Sequence, residues 1–371
     1  MFQAFLLVGS CLVGWYYRRS VPGIIIFALF VALPLQFIKR LLGHTAVLDT
    51  YAATLLETMT FVSKNKDVTA IARLSAQTTD MERRKIEKNG GTSSFVTENG
   101  VSGLWLVEDK DDIPVRRIDV GSSASRSNVI VLLFMHGGGY GMGTCYQGIS
   151  VHLSICKRFN ALERQKGSQK RLALFSVEYK LAPEAKFPSQ LHECINAFEY
   201  LNEHYHIDGL AVGGDSSGGH AIIHFLNAIK TRPDLVKLPL QPSATILISP
   251  WVDPYLHHAP EPLPLDMFSL EGTRNFSEAA FGETRKTQDF FFTPKGTFIV
   301  YGSAEILHIS LGLFVDLLKE LECPNLNVLV AEGMPHTYQF LNDFPSVKPH
   351  AEKAVDSLVM FLQECFSMNE E

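Results

Sequence analysis

Six short runs of apolar residues decide the class of fold open to this chain. They are VIVLLFM (129–135), LALFSVEY (172–179), LAVGG (210–214), ATILISP (244–250), TFIVYG (297–302) and NVLVAEG (327–333), separated by segments long enough for helices. A strand with one face in water alternates apolar and polar residues, whereas these runs are apolar almost throughout. They suit a mostly parallel sheet covered by helices on both faces, because parallel neighbours need long crossovers. The expectation is an α/β fold. With 46% hydrophobic and 19% charged residues, the 371-residue chain has material for a sizeable core.

Two parts of the chain fall outside this rhythm. Residues 41–110 mix amphipathic helical stretches with polar runs such as MERRKIEKNGGTSS and read as containing no strand. Residues 254–295 insert prolines and loose helix between two strands, the pattern of a lid or substrate wall. The expected organisation is one catalytic domain over 41–371, with a two-part cap from about 41–110 and 254–295.

The first 40 residues differ again. FQAFLLVGSCLVGWYY (2–17) and VPGIIIFALFVALPLQFI (21–38) are nearly free of charge, and Arg18 and Arg19 separate them. At 1.5 Å per residue the second run reaches about 27 Å, close to the ~30 Å hydrocarbon core of a bilayer. An arginine at mid-membrane costs at least ~2.5 kcal/mol, so the two runs do not form one continuous span. Residues 1–40 are expected to form a membrane anchor, either one span or a short hairpin. Together with the N-x-S sequon at Asn275, this points to the endoplasmic reticulum.

The charge pattern excludes one class of partner. A net charge of −6 leaves no basic footprint for nucleic acid. The six cysteines contain no C-x-x-C pair and outline no disulfide framework. There is no H-E-x-x-H and no Cys/His cluster, so neither a metal nor a cofactor is expected.

Chemistry concentrates in LAVGGDSSGGHAII (210–223). A trypsin-like serine in a G-D-S-G-G box lies in an all-β double barrel with its histidine and aspartate upstream. Ser216 instead follows a buried strand and precedes an apolar helix. A serine on such a strand-to-helix turn needs small residues two positions either side, which Gly214 and Gly218 supply. The turn puts Ser216 at a helix N-terminus as nucleophile. The glycines of FMHGGGYGMG (134–143) let backbone N–H groups approach a developing oxyanion, so Gly138 and Gly139 are expected as donors together with Ser217. His136 shapes that loop.

A serine needs a base, and the base an orienting acid. VYGSAEILH places Glu305 just past one late strand, and AEGMPHTYQF places His336 just past the next. Asp253 and Asp289 are rivals for the acid, but Asp253 follows an earlier strand and Asp289 precedes one. His192, His220 and His224 read as packing or surface residues.

In the order HGGGY, YKLAPEAKFP, GDSSGG, SPWVD, GSAEIL and GMPHTYQF, residues 128–345 resemble the hormone-sensitive-lipase branch of the α/β-hydrolases. The resemblance implies an α/β-hydrolase fold with Ser216, Glu305 and His336 as triad and the glycines after His136 as oxyanion hole. An apolar N-terminus before such a domain is similar to the arylacetamide deacetylases and, more closely, the fungal steryl acetyl hydrolases. Many members carry aspartate at the position of Glu305 and alanine at that of Ser217. Branch members that became hormone receptors lost the catalytic histidine, which this chain retains.

The implied activity is hydrolysis of a small hydrophobic ester, with short acyl groups leaving an apolar alcohol. Amide hydrolysis and acyl transfer use the same groups. The aromatic residues Trp251, Phe268, Phe276, Phe281 and 290–292 are expected to enclose the alcohol.

Overall fold

Strand formation here follows from residues that find apolar partners on both sides. The computed structural model describes residue 32 and residues 48–63, 79–117, 128–236, 238–260, 266–281 and 295–367. Eight strands form one sheet: β1 (Thr92–Glu98), β2 (Val101–Val107), β3 (Val129–Met135), β4 (Arg171–Val177), β5 (Gly209–Asp215), β6 (Pro242–Ile248), β7 (Thr297–Gly302) and β8 (Leu326–Ala331). The main helices are α1 (Thr50–Ser63), α2 (Thr79–Lys88), α3 (Ile149–Gln165), α4 (Ser189–His204), α5 (Ser217–Thr231), α6 (Leu270–Phe281), α7 (His308–Glu320) and α8 (Lys348–Ser367).

On β3, Val129, Val131, Leu133 and Met135 enter one core while Ile130, Leu132 and Phe134 enter the other. The first core is closed by residues such as Phe198 of α4, Phe225 of α5 and Phe314 of α7, the second by Phe159 of α3 and Leu362 of α8. Period-2 side-chain direction thus turns a continuous apolar run into two buried faces. Each of the six expected strands is present, its ends shifted by no more than two residues.

The strand order is β1-β2-β4-β3-β5-β6-β7-β8, parallel from β4 to β8. The chain leaves β3 for β4 on one side and returns to β5 on the other. This reversal opens a crevice outside the carboxyl ends of β3 and β5, where open α/β sheets bind ligands. The loops after β6, β7 and β8 lie along the same edge.

The expectation that residues 41–110 lie wholly outside the sheet is overturned. Residues 92–107 form the β1–β2 hairpin, and β2 pairs antiparallel with β4. The turn is Asn99–Gly100, with φ of 52° and 76°, the left-handed pair that a two-residue hairpin demands. Trp105 of β2 is buried edge-on to Phe175 at 4.9 Å. The Asn-Gly dipeptide was the signal for this hairpin.

Apart from Ala32, the runs 2–17 and 21–38 lie outside the described residues, as do Asp289 and the aromatics 290–292. Among the described residues no helix is long and apolar enough to cross a membrane. Asn275 sits half-buried within α6, and the Ser277 hydroxyl of the same sequon is buried and donates to the Pro254 carbonyl. Such a site disfavours glycan attachment to the folded chain.

Candidate active site

The β5–α5 turn is held from several sides. Ser216 has φ 50° and ψ −118°, a conformation that costs a non-glycine residue about 1–3 kcal/mol unless its surroundings impose it. They do so here. The Ser216 N–H donates to the Ile248 carbonyl (2.9 Å), and the Ser216 carbonyl accepts from the N–H groups of His220 (3.1 Å) and Trp251 (2.8 Å). A Cβ on Gly218 would stand 1.9 Å from the Met135 carbonyl oxygen, and one on Gly214 2.4 Å from the Gly218 carbonyl carbon. Glycine at both positions is therefore a condition for the turn to touch β3.

The loop after β3 is tied to this turn, because the Tyr140 N–H donates to the buried Ser217 hydroxyl (3.2 Å). Gly138 has φ 109°, and its carbonyl accepts from Gly141 (3.1 Å) and Met142 (3.0 Å), curling the loop back on itself. Among the described residues, no acceptor meets the N–H groups of Gly138, Gly139 and Ser217. His136 donates from its ring to the Gly137 carbonyl (2.8 Å) and stacks on Tyr179 at 4.0 Å. It is a structural member of the loop.

Glu305 is fully buried in the turn after β7. Its Oε2 meets His336 Nδ1 at 2.5 Å, and its Oε1 accepts from the Gly302 N–H (3.0 Å) and the Ser249 hydroxyl (3.2 Å). Ser249 in turn accepts the Thr337 N–H (3.2 Å). Glu305 is thus fixed before it fixes the imidazole, and glutamate's extra methylene is accommodated. Burial works against the charged imidazole of His336. The Glu305 hydrogen bond and the charges of Glu305, Asp266 and Asp215 outweigh it and raise its pKa above the usual histidine value.

Two further carboxylates lie close by. Asp215 is buried and accepts from the Gly137 N–H (2.9 Å) and Gln147 Nε2 (3.1 Å), and burial pushes its pKa up to about 7. Asp266 accepts the N–H groups of Ile306 and His336 at 2.7 and 2.8 Å. Asp253, the rival acid, is turned toward His257 (2.8 Å) and Ser310 (3.1 Å). His220 and His224 bond to each other at 3.2 Å, and His220 also bonds to the Tyr140 hydroxyl at 2.7 Å; both are packing residues of α5, His220 buried and His224 half-buried. Among the described residues, no group of three or more His, Cys, Asp or Glu side chains is arranged to hold a metal ion.

Ser216, Gly139 and His336 line one cavity together with Trp251, Phe268, Thr273, Phe276, Ile306 and Leu307. It offers about 20 Å³ to the centre of a water molecule, little more than the ~10–15 Å³ that one water needs. Gly138 and Ser217 are not among its lining residues; they are the chain neighbours of Gly139 and Ser216. Phe281, expected in that wall, instead packs against Tyr140, Phe187, His220 and Trp251. A larger crevice of about 180 Å³ beside Gln147 and Lys85 includes neither Ser216 nor His336.

Comparison with known proteins agrees with this fold. A family described by its alpha/beta hydrolase fold matches residues 132–339. The chain belongs to that family. Among curated proteins, this chain is 30% identical over 130 residues to an acetyl-hydrolase of Streptomyces hygroscopicus, covering 35% of its own length and 38% of that protein. It is 26% identical over 200 residues to an ethyl acetate hydrolase of Pseudomonas putida, covering 52% and 58%. The matches span from about a third to somewhat over half of the length of such relatives. A solved hormone-sensitive lipase from a metagenome library superposes with a TM-score of 0.60 at 18% identity, over 83% of this chain and 95% of that one, and shares its fold. The resemblance to the hormone-sensitive-lipase branch therefore holds at the level of family and fold.

Proposed function

We propose that the chain is a membrane-anchored serine carboxylic ester hydrolase that removes short acyl groups, acetyl first, from an apolar alcohol such as a sterol or a polycyclic secondary metabolite. The observation that carries this reading is that His336, bonded to the buried Glu305, lines the same small apolar cavity as Ser216. His336 takes the proton of Ser216 as the hydroxyl oxygen attacks the ester carbonyl, and Glu305 holds the Nδ1–H and stabilises the imidazolium. The N–H groups of Gly138, Gly139 and Ser217 receive the oxyanion. His336 then returns the proton to the departing alcohol, and the same base activates water to free the acyl group.

The narrow space beside Ser216 supports a small acyl group, since it has room for about one methyl. The names of two relatives, an acetyl-hydrolase and an ethyl acetate hydrolase, point the same way. In this reading residues 1–40 hold the enzyme at the endoplasmic-reticulum membrane, where apolar esters partition. Trp251, Phe268 and Phe276, expected around the alcohol, line the narrow space beside Ser216 instead, and in this reading they enclose the acyl group.

The test is turnover of acetyl and decanoyl esters of one sterol, with the products identified. Preferred release of acetate supports the proposal. Preference for decanoate in kcat/KM, or activity confined to amides, would overturn it.

A further inference from the structure

Asp266 has no part in the reaction scheme above, yet it occupies a junction. It lies in the insertion between β6 and α6, within EPLPLDMF, and is 1% exposed. Its Oδ1 accepts the N–H groups of His336 (2.8 Å) and Met267 (2.7 Å), and its Oδ2 accepts that of Ile306 (2.7 Å), the residue after Glu305. Its own carbonyl accepts the hydroxyl of Thr60 on α1, a hydroxyl shared with the Leu56 carbonyl. One residue therefore joins the loop of the base, the loop of the acid and α1.

A carboxylate buried only to fill space is a poor choice, because an apolar side chain does so without the desolvation cost. Three N–H groups converging on one carboxylate instead mark an anchor for backbone. We propose that Asp266 is a positioning residue for the triad: it locks the His336 loop to the Glu305 loop, sets a second negative charge beside the imidazole, and makes seating of α1 a condition for a competent base. The proposal rests on the esterase reading.

The carboxylates facing His336 are Glu305 from the turn after β7, Asp266 from the insertion and Asp215 from β5, and all three favour the imidazolium. Burial pushes Asp266 itself up to about 6, which leaves it ionised at neutral and alkaline pH. Removing its charge lowers the pKa of His336, so the acid limb of kcat/KM moves to lower pH. A residue that only stabilised the fold would leave that limb in place.

The experiment uses the full chain, with p-nitrophenyl acetate as substrate across a pH series. Asp266→Asn is expected to lower kcat roughly ten- to a hundred-fold with KM little changed, because small misplacements of a base cost that much. Its acid limb should move down by about half to one pH unit. Asp253→Asn removes the charge of another buried carboxylate, the one bonded to His257 and Ser310, and is expected to leave both quantities unchanged. Thr60→Val frees α1 from the Asp266 carbonyl and is expected to lower kcat several-fold without moving the limb.

An Asp266→Asn enzyme with wild-type kcat and an unmoved limb would overturn the proposal, as would Asp253→Asn producing the same changes. If Asp266→Asn does not fold, Thr60→Val decides: reduced kcat supports the coupling and wild-type kcat ends it. Absence of any turnover by the wild-type enzyme counts against the esterase reading instead. The same variants are then compared by the pH dependence of fluorophosphonate labelling.

Discussion

Phe268 is the side chain through which acyl length is most directly tested. Its ring is half-buried, 5.9 Å from the His336 ring and 5.8 Å from that of Phe276, and it lines the cavity beside Ser216. The cavity offers about 20 Å³ to the centre of a water molecule, and in the proposed reading it takes the acetyl methyl. Phe268→Ala opens that wall. Each methylene newly buried is worth about 0.8 kcal/mol, close to a factor of four in rate. A hexanoyl chain has four more carbons than acetyl, so complete burial is worth about 3 kcal/mol, or roughly two orders of magnitude.

The kcat/KM ratio of hexanoyl to acetyl p-nitrophenyl ester should therefore rise roughly ten- to a hundred-fold in Phe268→Ala, with the acetyl rate falling far less. Full burial of a phenylalanine is worth about 3–5 kcal/mol on truncation, and the half-burial of Phe268 keeps the loss of stability below that range. An unchanged ratio in a folded variant, or a wild-type enzyme that already prefers hexanoyl, would refute the assignment of this cavity to the acyl group.

Three other outcomes are expected. Activity needs neutral His336, and the Glu305 bond with its neighbouring carboxylates raises its pKa, so kcat/KM should fall on acidification with a midpoint above the ordinary ~6.5; a midpoint below 6 would contradict this. Gly218→Ala forces a Cβ to 1.9 Å from the Met135 carbonyl, so it should lower thermal stability by an amount equivalent to several kcal/mol and abolish turnover, whereas a melting temperature near wild type would contradict the packing described. Deleting residues 1–40 should move the protein out of the membrane fraction while esterase activity remains, and unchanged sedimentation with membranes would place the anchor elsewhere.

What could be read from the sequence followed physical periodicity. The central strands were legible because nearly every residue on them faces a core, and Ser216, Glu305 and His336 because each lies in the turn that follows a strand. The β1–β2 hairpin was missed since it lies in a polar stretch where Ser93, Ser94 and Thr97 dilute the strand pattern, although Asn99–Gly100 marked its turn. Ser249 and Asp266 were invisible for a different reason. Ser249 meets Glu305 across 56 residues, and Asp266 meets Ile306 and His336 across 40 and 70, so their partners exist only once the loops converge. In sequence, Asp266 reads as part of a proline-rich surface loop.

Phe281 shows the limit of composition as a guide to a pocket wall. It lies one helical turn and a residue beyond Phe276 on α6, and this rotation carries its ring from the cavity to the cluster around Tyr140.

The central claim, that Ser216 is the nucleophile activated by His336, is tested most directly by covalent labelling. The wild-type chain is treated with a fluorophosphonate and its peptides are mapped by mass spectrometry, alongside Ser216→Ala and His336→Ala. A single adduct on Ser216 is expected in the wild type, none in Ser216→Ala and greatly slowed labelling in His336→Ala, with ester turnover down by several decades in both variants. Labelling at another serine, or wild-type turnover by Ser216→Ala, would contradict the account.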